Sequence, residues 1–531
     1  MPDADLSPGL GAIVALLVFI VASVGLGVLA QRVVRRGDFL KGYFLGNRSL
    51  GSWALALTAT VQSGGTFMGF PSLVYSHGWA VALWISGYMV CPIAAFGVIG
   101  KRVAQLSRRT SAITVPDLLR ERFASPAAGL ASSLLIMLLM GSMMVAQFKA
   151  GALIMKIAWP GTSSIALSED VQGGIDVEYY IGLSLFAVTV VGYTVIGGFL
   201  AAVWTDLFQS IMMLVGVLFL LMLALPAAGG LEHATRQAVA ATGPEFAFGP
   251  GYAADGRQFL PLTLAFSFFL IWPFANFASP AGVLRVMACR DTVTIRRSVL
   301  LLSVYNFLIY LPLVAICICA RAMMPDLTVT DEVIPRMAMS TTSGLWGGSL
   351  WAGLILAAPF GAVMSTVSSY LVLIASGLVR DVYQRFLRPN ASEQEVRWLS
   401  YVLMACVGVV ALVANIRPVA YLQAIVVFSG TSATATFLVP MIMTAYWRRA
   451  TAAGALAAMF SGAGTMLGLF ALGWLGDDPM IGQATRFRPY FLLGFEPIVW
   501  GLCASLIAGV TVSLCTRPPD PSLVRRLFDA P

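Results

Sequence analysis

Thirteen apolar stretches run through this chain of 531 residues, and each is long enough to cross the roughly 30 Å of hydrocarbon in a bilayer. They cover approximately residues 10–31, 50–75, 79–100, 127–156, 179–201, 204–228, 259–281, 298–320, 349–378, 399–416, 419–446, 451–475 and 495–515. Lipid offers the backbone no hydrogen-bond partner, so each stretch is expected to be helical. The sequence therefore predicts an all-α polytopic membrane protein with about thirteen transmembrane helices.

The composition excludes an array of soluble domains. Hydrophobic residues make up 58% of the chain and charged residues only 11%, where a soluble domain carries about 25% charge. The two histidines, His77 and His233, and seven scattered cysteines form no metal-binding cluster of usual spacing. The basic residues are not gathered into one patch and no P-loop is present, so neither nucleic-acid binding nor ATP-driven transport is expected.

The distribution of Lys and Arg predicts the orientation. With the N-terminus outside, 24 basic residues fall in cytoplasmic loops and eight in outer loops, with Lys149 inside a span. The net charge is then +14 inside and −7 outside. This asymmetry follows the positive-inside rule, and it predicts an outer N-terminus, a cytoplasmic C-terminus and a location in the cell membrane, most simply a bacterial inner membrane. The basic loops at 101–122 and 285–297 are interpreted as determinants of this topology.

Polar residues interrupt the second span. Thr58, Thr60, Gln62 and Thr66 surround the pair Gly64-Gly65 in the stretch 56–78. An unwound helix at this depth exposes carbonyl groups that can bind a substrate or a coupling ion. The alternative is a glycine-rich packing face that lets two helices approach closely.

The seventh span has a similar interruption, at Pro273, Asn276, Ser279, Pro280 and Gly282. Two broken spans five apart are what an inverted repeat of five-helix units predicts. We expect a single transmembrane domain over 1–531. Its parts are an extra first span at 10–31, repeat one at about 50–228, repeat two at about 259–446, two further spans at 451–515 and a short cytoplasmic tail at 516–531.

The ninth span contains a polar stripe. Ala362, Ser365 and Thr366 lie at spacings that share one helix face. Two hydroxyls together with carbonyls from a broken partner helix could hold a sodium ion. Ordinary Ser/Thr packing between helices is the alternative.

Three further polar residues stand out within the spans. A buried Lys149 must pair, snorkel or face water, and it could lie beside an anionic substrate. Gln147 could donate to a ligand or bond a neighbouring helix. Asp206 could attract a cation that leaves toward the cytoplasm, or it could be the N-cap of the sixth span.

Several motifs together resemble the sodium:solute symporter family. They are YFLGNRSLGSWALALTAT at 43–60, GGFLAAVWTDLFQ at 197–209 and AAPFGAVMSTVSSYLVLIASGLVRDVY at 357–383. The resemblance covers about residues 10–515 and implies thirteen spans with a LeuT-type 5+5 inverted repeat. Within the family the chain is most similar to the sodium/pantothenate permeases, through TATVQSGGTFMG at 58–69, AQFKAGA at 146–152 and MPDLTVTDEVIP at 324–335. Lys149 and the run 62–66 depart from the pattern of that subgroup.

The resemblance also implies a set of site residues. Sodium would be bound by the carbonyls of Ala59, Gln62 and Ala362 and the hydroxyls of Ser365 and Thr366. The acid near the sodium exit would be Asp206, and Thr66, Ser142, Gln147 and Asn276 become candidates for substrate binding. Lys149 would suit a carboxylate substrate.

The expected function is import of a small organic solute, a monocarboxylate such as pantothenate, driven by sodium and alternating access. Sodium is the only ion required, no cofactor is expected, and lipid, solute and sodium are the expected partners, with no obligate protein partner indicated. One alternative is symport of another solute, such as a short monocarboxylate, proline or another amino acid. Others are a proton-coupled carrier, a transport-like sensor acting with a partner kinase, and a membrane enzyme, which would need an intramembrane nucleophile and base.

Overall fold

The computed structural model describes residues 9–34, 39–59, 63–159, 177–249, 261–417, 422–475 and 487–529. Over these ranges the chain is helical, with no strand beyond one isolated bridge. The α-helices are α1 (Leu10–Val34), α2 (Phe39–Leu45), α3 (Ser52–Ala59), α4 (Phe70–His77), α5 (Ala82–Pro92), α6 (Lys101–Thr110), α7 (Val115–Phe123), α8 (Pro126–Ile157), α9 (Val177–Ala227), α10 (Leu231–Thr242), α11 (Leu262–Ala278), α12 (Pro280–Met287), α13 (Thr292–Met323), α14 (Val333–Thr342), α15 (Gly348–Ser376), α16 (Glu393–Ala414), α17 (Leu422–Tyr446), α18 (Ala452–Leu475), α19 (Pro497–Cys515) and α20 (Pro521–Phe528).

Shorter helical segments join several of these helices. The π-helical segments are Gly65–Gly69, Ile93–Gly100 and Gly377–Leu387. The 3₁₀ segments are Gly46–Arg48, Gly78–Val81, Pro244–Phe246, Thr330–Glu332 and Leu492–Gly494. In the described part of the chain, ten helices are long and apolar enough to cross a membrane. The all-helical membrane architecture is thus confirmed, and the count of thirteen spans stays a prediction.

The fifth and sixth spans are joined at a kink. Separate helices were expected at 179–201 and 204–228, and α9 covers both as two helical parts. Gly198 divides it, because its backbone (φ 58°, ψ −143°) is not helical. A side chain there would lie 2.6 Å from the Tyr43 ring, so only glycine fits this kink.

Helix α15 forms the centre of the bundle. It packs against α1, α8, α9, α14 and α16, and it is almost entirely buried. Small residues permit the close approach, since a methyl group on Gly353 would lie 2.5 Å from the carbonyl oxygen of Ala12. The polar stripe predicted on the ninth span is therefore enclosed by other helices.

The two interrupted spans meet at one end of the bundle. The Leu50 backbone, before α3, pairs with Cys289, after α12, through hydrogen bonds that involve Ala288 and Arg290 at 3.2 and 3.0 Å. Arg48 donates to the Ser107 and Ala112 carbonyls at 3.0 and 2.9 Å. It also donates to the Met287 carbonyl at the end of α12 at 3.4 Å. The start of the second span and the end of the seventh are thus fixed to each other.

Candidate ion and substrate site

The second span has its polar interruption between α3 and α4. Helix α3 ends at Ala59, the first of the predicted sodium ligands. The second, Gln62, lies outside the described residues. The chain turns again from Gly64 through the π-helical segment Gly65–Gly69 into α4.

Gly64 lies directly against two other helices. Its backbone N–H donates a 2.7 Å hydrogen bond to Oε1 of the buried Gln147 on α8. A methyl group built on Gly64 would lie 2.9 Å from Ala150 Cβ and 3.3 Å from Val363 Cγ2 on α15. Gln147 therefore bonds a neighbouring segment, one of the two roles considered for it. The glycine also serves close packing, as the alternative for this span supposed.

Thr66 faces an aromatic group. Its hydroxyl lies 3.0 Å from the hydroxyl of Tyr310 on α13. The Tyr310 ring packs against Tyr88 with centroids 4.3 Å apart, and against Phe70 at 5.5 Å. Tyr310 could not be predicted as a site residue, because in the sequence a lone tyrosine in an apolar span looks the same as a tyrosine of the hydrophobic core.

The other substrate candidates lie on separate helices. The Ser142 hydroxyl donates to the Leu139 carbonyl at 2.8 Å and lies 2.9 Å from the Ser429 hydroxyl on α17. Asn276 lies near the end of α11, close to Ser279, whose backbone (φ −59°, ψ 118°) interrupts the helix before α12.

The side-chain amide of Gln423, which was also not predicted, lies against the interrupted second span. Gln423, in the first turn of α17, is 3% exposed, and its Oε1 would lie 1.9 Å from a methyl group on Gly69. Among the described residues, neither polar atom of this amide has a hydrogen-bond partner. A polar group of a bound molecule could satisfy it.

The stripe on α15 presents buried oxygen atoms. The Thr366 hydroxyl donates to the Ala362 carbonyl at 3.0 Å, and the Ser365 carbonyl accepts from Ser368 and Ser369 at 3.0 and 2.8 Å. All three stripe residues are buried. Hydroxyl and carbonyl oxygens are the ligands that hard cations prefer. Because α15 packs against the π-helical segment of the second span, this donor set suits a sodium ion.

Asp206 occupies a different position from the predicted one. It was expected as a lone acid at the membrane edge, or as the N-cap of the sixth span, but it lies inside α9 and is fully buried. The N-cap interpretation is wrong, because the helix continues through it from Gly198. Its carboxylate forms an ion pair with Arg285 of α12 and accepts a 3.4 Å hydrogen bond from the Ser368 hydroxyl on α15.

Arg285, the first residue of the basic loop at 285–297, has a structural contact as well. Its side chain is 3% exposed and also donates to the Ser369 hydroxyl at 2.6 Å. It is thus a buried counterion of Asp206, while the role of the loop in topology stays a prediction. Hydropathy gave no sign of this, because an arginine at the end of an apolar stretch looks the same in both cases.

Lys149 has an electrostatic partner on a distant segment. It is 4% exposed, and its ammonium group is attracted by the carboxylate of Asp331, which is also buried. Asp331 lies in the 3₁₀ segment Thr330–Glu332. Burial raises the pKa of Asp331, and Lys149 opposes that shift together with a hydrogen bond from the backbone N–H of Leu422. Pairing, snorkelling and contact with water therefore all stay predictions for Lys149.

The fold is shared with two solved structures. The chain superposes on a Na⁺-coupled sialic acid symporter with a TM-score of 0.71 at 19% identity, over 96% of this chain and 99% of that one. Mhp1, a nucleobase–cation symporter, gives a TM-score of 0.53 at 14% identity.

The chain belongs to the sodium:solute symporter family, whose model matches residues 43–462. It is 31% identical to a sodium/pantothenate symporter of Haemophilus influenzae, over 87% of this chain and 91% of the relative. The corresponding Escherichia coli protein is 30% identical over 94% and 95%. The osmoregulated proline transporter OpuE of Bacillus subtilis is 25% identical over 94% and 95%. These relatives are transporters, and the membrane-enzyme alternative is excluded.

Proposed function

We propose that this protein is a sodium-coupled symporter that imports a monocarboxylate, with pantothenate as the first candidate. The observation that carries the proposal is the polar stripe of α15, buried against the interrupted second span, where a methyl group on Gly64 would lie 3.3 Å from Val363 Cγ2. Sodium bound there would join α15 to the interrupted second span, two elements that are far apart in the sequence. Closure of the site around the solute would then depend on the ion.

The proposed sodium ligands are the carbonyls of Ala59, Gln62 and Ala362 and the hydroxyls of Ser365 and Thr366. The bond from Thr366 to Ala362 is compatible with this role. The Thr366 hydroxyl, which donates one hydrogen bond, keeps its lone pairs and can bind an ion without breaking that bond. The Ala362 carbonyl also accepts the helical N–H bond within α15, so an ion would share its lone pairs with these donors.

Asp206 is the proposed first group that a departing ion meets. Its carboxylate accepts a 3.4 Å hydrogen bond from Ser368, three residues after Ser365 on α15, so the exit would begin one helical turn from the ion site. Arg285 neutralises this carboxylate in the structure. A passing sodium ion would therefore be held only weakly at Asp206.

The proposed solute site lies beside the two interruptions. Lys149 would attract the carboxylate, while Gln147, Thr66, Ser142 and Asn276 would contact the polar remainder of the solute. The unpaired amide of Gln423 would add a donor and an acceptor. Support for pantothenate comes from the two relatives at 30–31% identity.

Other solutes fit the same mechanism. Short monocarboxylates also carry the group that Lys149 attracts, and proline is suggested by relatives such as OpuE. A sensor that uses this fold with a partner kinase is a further alternative. A sensor would bind its solute and sodium, but it would move little solute across the membrane.

We further propose thirteen crossings with the N-terminus outside and the C-terminus in the cytoplasm of a bacterial cell. The domain is single, with repeats at about 50–228 and 259–446 and broken helices at the second and seventh spans. The end of α3 at Ala59, the π-helical segment Gly65–Gly69 and the interruption at Ser279 support this arrangement. Accessibility of single cysteines in the loops to impermeant reagents tests the orientation.

The deciding experiment measures uptake of labelled pantothenate into proteoliposomes under an inward sodium gradient, and again with potassium in place of sodium. We expect uptake that requires sodium. If pantothenate is not taken up, the same vesicles are tested with short monocarboxylates and amino acids. Sodium-dependent uptake of one of these solutes would make it the substrate in place of pantothenate. If sodium affected the uptake of no solute, the proposal of sodium symport would be contradicted.

A further inference from the structure

Helix α20, which follows the last span, lies against the bundle with its apolar side. Leu527 is 1% exposed and belongs to the hydrophobic core, and Leu523 and Phe528 pack against that core. Arg525 and Arg526 are exposed on the other side of the helix. With eight residues, α20 is too short to be a stable helix in isolation. Its helical form therefore depends on its contact with the rest of the protein.

Phe528 and Asp529 bring α20 into contact with two arginines from separate parts of the chain. The guanidinium of Arg122 on α7 lies 5.0 Å from the centroid of the Phe528 ring, and that of Arg448, just after α17, lies at 5.6 Å. Asp529 also forms an ion pair with Arg448. Two like charges near one ring repel each other, and the ring face and the carboxylate offset this repulsion. The end of α20 thus connects α7 with the segment that follows α17.

A hydrogen bond extends the contact of α20 to α6. Arg109, at the end of α6, donates to the Leu527 carbonyl at 2.5 Å. The neighbouring Arg108 donates to the Cys289 carbonyl at 2.8 Å. Cys289 follows α12 and pairs with Leu50, just before α3. Helix α20 therefore contacts the same helix, α6, that is bonded to the joined ends of the two interrupted spans.

The fully buried Arg122 links α7 to the end of α17. It donates to the Thr444 and Trp447 carbonyls at 3.3 and 2.9 Å. These carbonyls lie where the partial negative charge of the α17 dipole collects, so a cation is favoured there. The Phe528 ring over the guanidinium keeps water away from it, and hydrogen bonds are stronger in such a dry environment. Docking of α20 is thus expected to strengthen the contact between α7 and α17.

We propose that α20 is a strap that keeps this end of the bundle closed and must detach before the interrupted spans can separate there. Helices α6 and α7 lie in the predicted repeat one and α17 lies in repeat two, and alternating access moves such units against each other. The inference rests on the proposed function for the transport cycle and on the proposed orientation, which places this end in the cytoplasm. Release of the solute to the cytoplasm then waits for α20.

The first test measures docking of α20 without any solute, by hydrogen exchange of the amides of 521–529 in the purified full chain. We expect Phe528→Ala to speed exchange roughly three- to tenfold, as the loss of a cation–π contact allows. Alanine is the better helix former, so weaker intrinsic helix propensity cannot cause this change. Phe528→Tyr, which keeps the ring, and Arg526→Gln, on the exposed side, should exchange at the parent rate. Equal exchange in Phe528→Ala and the parent would overturn the proposal.

The second test follows closure through a native cysteine. Cys289 is fully buried, and the other six cysteines are replaced by alanine so that a maleimide reports on it alone. Phe528→Ala and Arg109→Gln should each speed its labelling several-fold, and Arg526→Gln should not. In a matched background that retains only Cys317, a buried cysteine of α13, labelling should stay slow in every variant. Faster labelling of both cysteines would mean general loosening of the bundle, and it would contradict a strap.

The third test measures pantothenate uptake. Phe528→Ala is expected to raise the maximal rate several-fold, because the strap no longer delays opening toward the cytoplasm. The sodium concentration for half-maximal uptake should stay the same, because α20 does not contact the polar stripe of α15. An unchanged or lower maximal rate together with faster labelling of Cys289 would contradict the role in transport. If no variant takes up pantothenate while the exchange and labelling differences hold, the strap stands and the proposed solute is wrong.

Discussion

Asp206 and Arg285 form an ion pair that is almost completely enclosed by protein, with 0% and 3% of the two side chains exposed. The pair joins α9 to α12, the second half of the seventh span. Arg285 also donates to Ser369, four residues beyond Ser365 on α15. Arg285 therefore connects the seventh span to α9 through Asp206 and to α15 through Ser369, and we expect these three elements to move together.

Breaking this pair tests its contribution to stability. Arg285→Gln leaves a buried carboxylate without a counterion, which costs about 3–5 kcal/mol. We expect a marked fall in the unfolding temperature of the detergent-solubilised protein. Arg285→Gln combined with Asp206→Asn should recover much of the loss. The control is Arg397→Gln, which breaks the exposed pair with Glu393 and should change the unfolding temperature little. Equal effects of the two single substitutions would contradict the assignment.

Removing one hydroxyl from the stripe tests the ion site. Ser365→Ala takes away a proposed sodium ligand, and a hydrogen-bond-like contact to a charge is worth about 1.5–3 kcal/mol. The sodium concentration for half-maximal uptake is therefore expected to rise at least about tenfold.

Ser376→Ala is the matched control on the same helix. Ser376 is equally buried, but it donates only to the Leu373 carbonyl at 2.8 Å. Its substitution should leave sodium activation unchanged. A similar shift in both variants would mean that the effect comes from packing of α15 and not from ion binding.

The hydrogen bond between Gln147 and Gly64 predicts that two substitutions of Gln147 lower the unfolding temperature by different amounts. Gln147→Leu leaves the buried Gly64 N–H without an acceptor, at a cost of about 1–3 kcal/mol. Gln147→Glu keeps an acceptor oxygen at the same position. Thermal unfolding should therefore rank Gln147→Glu above Gln147→Leu. The reverse order would show that burying a new charge matters more than satisfying the N–H.

Substitutions of Gly69 and Gly430 by alanine test whether a glycine is needed for close packing. A methyl group on Gly69 would overlap the Gln423 amide, with Cδ at 2.7 Å and Cβ at 3.0 Å. On Gly430, which also lies in a helical segment, it would meet no atom within 4 Å. We expect Gly69→Ala to reduce uptake strongly and Gly430→Ala to be neutral or slightly stabilising. Equal uptake by the two variants would contradict the packing described here.

The positions of the long helices could be predicted because hydropathy depends only on local sequence. The predicted span 127–156 and helix α8 (Pro126–Ile157) differ by one residue at each end. The kink at Gly198 was not predicted, because a glycine within an apolar run gives no sign of whether its φ is positive. The helical extension Lys101–Thr110 was also missed, since a charged helix beyond the membrane has no hydropathy signal.

The candidate site could be predicted only in part. Ala362, Ser365 and Thr366 share a helix face, and such spacing can be read from sequence alone. The partner of Asp206 could not be found in this way. Arg285 is 79 residues from Asp206 in the chain, so their contact depends on how α9 and α12 pack. Asp331 lies between two predicted spans, and its burial becomes visible only in the folded structure.

The enclosure of α15 bears on how the surrounding bilayer can influence the protein. Residues such as Val409 and Val410 on α16 and Ile507 on α19 are more than half exposed, whereas the middle of α15 has no surface to offer to acyl chains. A change in bilayer thickness strains the peripheral helices first. A change in bilayer thickness reaches the polar stripe of α15 only through the helices that surround α15. Lipid composition is therefore expected to alter the speed of the transport cycle more than the affinity for the coupling ion.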